Sequence, residues 1–154
     1  MKKNRSRGHP AQRGQSLFEL IIAIGIGVII VTAIVQLVTI SVRNASFSKN
    51  KNEATRLAQQ ALEWLRTEKE KDWAGFYARA GNPTYWCLPT LAWTAGQCGS
   101  GQTISGSTTF TRQATLDQED VDGNTTSVVV VTVSWEQGGN THQSSATTQF
   151  GETD

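Results

Sequence analysis

The chain has 154 residues, 38% of them hydrophobic and 18% charged, with a formal net charge of +1. That length holds about one domain plus an anchor and excludes a multidomain enzyme with a separate cofactor domain. Near-neutrality argues against a nucleic-acid binder, and two cysteines, Cys87 and Cys98, permit at most one internal bridge.

The averages conceal an uneven distribution. Residues 1–13 carry five Lys or Arg and no acid, and residues 17–42 then hold 19 aliphatic or aromatic side chains in 26 positions. At about 1.5 Å per residue a helix of that run reaches about 39 Å, enough for a ~30 Å hydrocarbon core. Basic residues precede the run and none follows before Arg43. This bias predicts a single pass with the N-terminus in the cytoplasm and the rest of the chain exported. A cleaved secretory signal has a shorter apolar core, about 7–15 residues, followed by a small-x-small site; neither feature is present. An uncleaved signal anchor fits the length but does not explain Glu19, an acid inside the run. A charge at the membrane centre costs roughly 2–3 kcal/mol, less near the interface.

Gly14-Gln15-Ser16-Leu17-Phe18-Glu19, behind a basic leader and ahead of the long apolar run, resembles the processing motif of type IV prepilins and type II secretion pseudopilins. The resemblance implies cleavage between Gly14 and Gln15 by a membrane aspartic peptidase, the prepilin peptidase, which would also methylate the new amine of Gln15. Glu19 becomes the fifth mature residue, where the family carries its Glu, and there the carboxylate meets the N-terminal amine of a neighbouring subunit. Two opposite charges in an apolar bundle need each other, because removing one strands the other. Gln15 departs from the family, which more often starts with Phe or Met. Other implied partners are further pilin or pseudopilin subunits, an inner-membrane assembly platform, and the membrane before assembly. The implied function is a structural, minor subunit of a pilus or secretion pseudopilus. A membrane-anchored extracellular binding module that never polymerises is the alternative.

Gly25 and Gly27 interrupt the run at about 1 kcal/mol each relative to Ala. Close helix packing, local unwinding on assembly and tolerance in lipid all fit them. Gln36 stands where many type IV pilins carry a kinking Pro, which implies a straighter helix; Thr39 follows it.

No Gly or Pro occurs over residues 43–73, so the helix continues. Ala54, Leu57, Ala58, Ala61, Leu62 and Leu65 fall at helical spacing and form an amphipathic stripe. Arg66 to Asp72 is a solvated charge run that forms the last turns, and Gly75 is the first expected stop. From Ser16 to Asp72 the helix would measure roughly 85 Å, and a bilayer uses less than half of it. The remainder must lay its stripe on an exported head. The expected organisation is a leader (1–14), a transmembrane or polymerisation helix (15–43), its amphipathic extension (44–75), an ordered loop (76–106) and a β-sheet head (107–154). The fold class is α+β and pilin-like, a long N-terminal helix packed on a small antiparallel β-meander.

The 76–106 segment is rich in Gly and Pro and holds Tyr77, Tyr85, Trp86 and Trp93, which suggests a loop whose rings tuck against helix or sheet. Export makes a Cys87–Cys98 disulfide the expected state. Its ring of about 12 residues contributes roughly 3 kcal/mol in the chain-entropy model. The family's disulfide often lies nearer the C-terminus, so that region is not carried over. Strands are expected at 108–116, with Arg112 interrupting the apolar face, at 126–135, with Val129, Val131, Val133 and Trp135 on one side, and at 141–150, with Ala146 and Phe150 inward. The Asp122-Gly123-Asn124 and Gly138-Gly139-Asn140 stretches supply turns. Nineteen Ser or Thr over residues 100–154 suit outward sheet faces.

No catalytic constellation emerges, so no enzyme and no cofactor are expected. His142 sits in a polar strand, no Ser occupies a Gly-x-Ser-x-Gly elbow, and there is no phosphate-binding or dinucleotide fingerprint. Two Cys without a nearby His do not suggest a metal site. Asp120 and Asp122 are weak calcium candidates. Setting Gly123 at the glycine of an EF-type loop puts them at ligand positions but leaves Val129 where a bidentate Glu is needed. Past Asp72 there are two basic residues against seven acids, a net of −5, unsuited to phosphate backbones.

Overall fold

The computed structural model describes residues 15–104, 106, 110–121 and 124–152, with nothing drawn from the side chains of Gln15, Ser16 and Val121. It divides into two compact units, Met1–Asn44 and Ala45–Asp154. One helix, α1 (Gln15–Lys71, 57 residues), begins in the first and ends in the second.

In the first unit α1 is unbroken through Gly25 and Gly27. Every large apolar side chain from Leu17 to Val42 is exposed. Its polar hydroxyls turn inward on the helix itself: Thr32 Oγ1 donates to the Val28 carbonyl at 2.7 Å and Thr39 Oγ1 to the Val35 carbonyl at 2.9 Å. Apart from Glu19, Gln36 and Ser41, the side chains this segment exposes between Leu17 and Val42 are aliphatic or aromatic, or belong to Thr and Gly. The helix is long and apolar enough to cross a membrane.

In the second unit the remainder of α1 packs on a five-stranded antiparallel sheet. The strands are β1 (Thr84–Cys87), β2 (Thr94–Ala95), β3 (Phe110–Val121), β4 (Asn124–Gln137) and β5 (Asn140–Gly151), in the order β2-β1-β3-β4-β5. A short helix, α2 (Trp73–Tyr77), precedes them. Ala54, Leu57, Ala58, Ala61 and Leu65 are buried, while Leu62 is half-buried at the rim. Three alanines in this stripe leave the helix backbone close to the sheet. Opposite them lie Ala114 and Leu116 of β3, Val129, Val131, Val133 and Trp135 of β4, and Phe150 of β5. The alternation read from β4 therefore faces the core as expected, with Thr132 and Ser134 on the outer face and Ser127 buried on the inner one.

Three features differ from the sequence expectation. First, α1 ends at Lys71, where the last turns were expected, but the 44–75 stretch is not one helix, because a separate α2 begins at Trp73. Asp72 takes extended backbone angles (φ −156°, ψ 92°) and caps α2, its Oδ1 accepting from Gly75 N–H at 3.0 Å. An Asx side chain that bonds a nearby backbone amide competes with helix continuation. A Cβ at Gly75 would lie 2.0 Å from Asp72 Oδ2, so a larger residue there would require the capping carboxylate to shift. Second, the loop region contains β1 and β2. β1 pairs with β3 (Thr84 opposite Leu116, Cys87 opposite Gln113), and β2 in turn pairs with β1 (Trp86 opposite Ala95). Third, β3 and β4 run further than expected, through the acidic stretch, with Asp117 opposite Val128 and Asp120 opposite Thr125. Between β4 and β5, Gly138 (φ 63°) and Gly139 (φ 78°) form a two-residue turn with both φ positive, the geometry that suits hairpin twist.

Candidate functional site

The first unit carries one ionisable side chain within the run of residues 17–42, Glu19. It sits one turn inside α1, exposed among Leu17, Phe18 and Leu20, and makes no hydrogen bond or ion pair with the described residues. Gln15 is the first residue of α1. Gly14, the other expected processing residue, lies outside the described residues.

Cys87 and Cys98 are joined (S–S 2.00 Å, Cα–Cα 4.8 Å), and no free cysteine remains among the described residues. Cys87 ends β1 fully buried, so the bridge fastens the segment after β2 to the sheet. Asp120 belongs to β3, and Asp122 lies outside the described residues. Among the described residues no group of three or more His, Cys, Asp or Glu side chains could hold a metal ion. His142 is half-buried on the inner side of β5, with its ring edge-on to Phe47 at 5.1 Å and tilted to Trp135 at 5.6 Å.

Two clusters escaped the sequence reading. Arg112, which seemed to interrupt the apolar face of β3, stays on that face and is 2% exposed. Its Nε donates to the Leu88 carbonyl at 3.1 Å, and Nη1 donates to the Leu57 carbonyl at 3.2 Å and to Gln60 Oε1 at 3.3 Å. Burial lowers its pKa, yet a guanidinium remains protonated at any physiological pH. Inward parity was the available signal, since Arg112 alternates with Phe110 and Ala114.

The second cluster is aromatic. Trp93 lies 5.0 Å from Trp64, 5.1 Å from Trp86 and 6.0 Å from Phe76, with the Arg79 guanidinium 5.0 Å from its ring. Its Nε1 donates to Glu68 Oε2 at 3.1 Å, while Trp86 Nε1 donates to the Arg79 carbonyl at 3.0 Å. Lys71 and Trp93, both donating to the Glu68 carboxylate, hold its pKa below the ordinary value. With both indole N–H groups satisfied internally, these rings extend the core rather than offer a stacking platform.

The chain matches no family model, no curated protein and no solved structure. Functional argument therefore rests on the residues themselves.

Proposed function

We propose that this chain is a structural subunit, a minor one, of a type IV pilus or a type II secretion pseudopilus. On this reading the precursor inserts with its N-terminus in the cytoplasm and its head exported. The prepilin peptidase removes residues 1–14 and methylates Gln15, and an inner-membrane platform assembles the product with other pilin or pseudopilin subunits. Extraction from the bilayer exchanges lipid contacts for helix–helix contacts along the apolar part of α1. The single observation that carries the proposal is Glu19: one carboxylate in an otherwise uncharged, fully exposed apolar helix, five positions after Gly14. In hydrocarbon that charge is costly unless a cation meets it. An N-terminus created at Gln15 supplies a cation within one helical turn of the same depth. The small head and the atypical first residue favour a minor component.

N-terminal sequencing and intact mass of the native protein test this directly. A product beginning at methylated Gln15 is expected. Retention of Met1 or Lys2 would instead mean a non-polymerising anchored module. The Glu19→Ala variant should be inserted and cleaved like wild type yet enter filaments poorly; wild-type incorporation would remove Glu19 from the mechanism.

A further inference from the structure

Within residues 20–40 only five positions are neither aliphatic nor aromatic: Gly25, Gly27, Thr32, Gln36 and Thr39. Four of them are spaced by 7, 4 and 3 residues, and Arg43 extends the series by 4. Such intervals return to the same side of an α-helix, so Gly25, Thr32, Gln36 and Thr39 form one seam and Gly27 alone lies off it. The members of the seam are not equivalent. Both threonine hydroxyls are spent on carbonyls of their own helix. Gly25 carries no side chain, so a second helix can approach closely there. Gln36 is exposed, and its carboxamide makes no hydrogen bond among the described residues.

At ~1.5 Å per residue Gln36 lies about 10 Å from the middle of the apolar run, inside a hydrocarbon half-thickness of about 15 Å. A primary amide at that depth needs a donor and an acceptor from another helix. A second copy of this chain supplies both. The carboxamide is its own complement: Nε2–H of each copy can donate to Oε1 of the other. Two copies inserted in the same direction also hold Gln36 at equal depth, so the register is set without further contacts. A carboxylate or ammonium partner would use only half of the amide and would bring a charge into lipid.

We infer that the Gly25–Thr32–Gln36–Thr39 seam is a homomeric interface, through which two membrane-inserted copies pair by reciprocal Gln36 hydrogen bonds. The inference rests on the membrane-spanning reading of α1 but not on cleavage or filament assembly. Glu19 lies about 100° or more around the helix from the seam, taking 3.6 residues per turn.

The test uses the full-length chain in phosphatidylethanolamine–phosphatidylglycerol vesicles. Cys87 and Cys98 are bonded to each other, so an introduced thiol is the only free one. Thr39→Cys, on the seam, should give an oxidised cross-linked dimer, while Leu37→Cys, at similar depth on another face, should not. In the Thr39→Cys background, Gln36→Leu should lower cross-linking roughly 3- to 10-fold, the size expected for one interhelical polar pair, and Gln36→Asn should retain it. Vesicle flotation confirms that each variant is inserted. Equal cross-linking at positions 37 and 39, or indifference to Gln36→Leu in inserted protein, overturns the interface. Repeating the measurement with Glu19→Ala separates the two readings: the dimer persists whether or not filaments form.

Discussion

Arg112 is a cation among apolar side chains, and what compensates it is the backbone. Its Nε and Nη1 reach the carbonyls of Leu88 and Leu57, while its own carbonyl accepts from Leu88 N–H at 2.8 Å. One residue thus ties β3 to the helix above it and to the segment after β1. A buried ion pair would demand a second desolvated charge; carbonyls and the Gln60 amide avoid that cost. The planar fork matters, because three acceptors in different directions cannot be matched by one ammonium. Arg112→Lys should therefore destabilise the head by about 1–3 kcal/mol and Arg112→Ala by about 2–4 kcal/mol, from orphaned acceptors plus a cavity. Urea unfolding followed by tryptophan fluorescence measures both. A wild-type midpoint for Arg112→Lys would mean that charge alone, and not the fork, suffices.

Elements that owe little to their own sequence are held by such cross-ties. The segment with β1 and β2 is fixed by pairing with β3, by the disulfide, and by Trp93 donating to Glu68 on α1. Because Lys71 and Trp93 depress the Glu68 pKa, this tie contributes stability above the ordinary carboxylate range, near pH 4.3, and loses it as pH falls through the lower folded-state value. Comparing wild type with Glu68→Gln, the difference in melting temperature should be present near about pH 6 and shrink towards about pH 3. A difference independent of pH would show that the carboxylate charge plays no part. The same elements mark what the sequence could convey. The heavy alternation Val129-Val131-Val133-Trp135 announced β4 and its inward face, and the Ala54–Leu65 stripe announced the contact side of α1. By contrast, β1 and β2 are four and two residues long in Gly/Pro-rich chain, too short for a periodic signal, and exist through long-range pairing. The charge run announced the last turns of α1, whereas the restart as α2 was masked because the Asp72–Gly75 capping bond is a three-dimensional fact. Parity placed Arg112 on the apolar face, where it lies, but the Leu88 and Leu57 carbonyls that receive it come from distant segments that no local pattern connects. Of the candidate site, Glu19 was legible as an acid in an apolar run, whereas the Trp93 cluster joins residues from α1, α2 and the loop that no local pattern connects.

At the scale of the whole chain, the two units differ in what they bury. Residues of the first expose nearly every apolar side chain, whereas the second, Ala45–Asp154, has a closed core that draws on α1, α2 and every strand except the two-residue β2. Nothing in that core comes from residues before Ala54. A fragment beginning at Ala45 should therefore fold by itself, provided the chain is made where Cys87 and Cys98 can oxidise. It should be soluble without detergent, melt in one cooperative transition and show the far-ultraviolet signature of mixed helix and sheet. Reduction releases a ring whose closure is worth about 3 kcal/mol in the chain-entropy model, and for a domain of this size that corresponds to a fall in Tm of roughly 10–20 °C. Circular dichroism melts with and without reductant read both quantities on one sample. A fragment that aggregates or melts without cooperativity under oxidising conditions would mean that the head depends on the apolar part of α1. A melt unchanged by reductant would leave the Trp93 cluster and the β3 pairing, rather than the bridge, as what holds the loop.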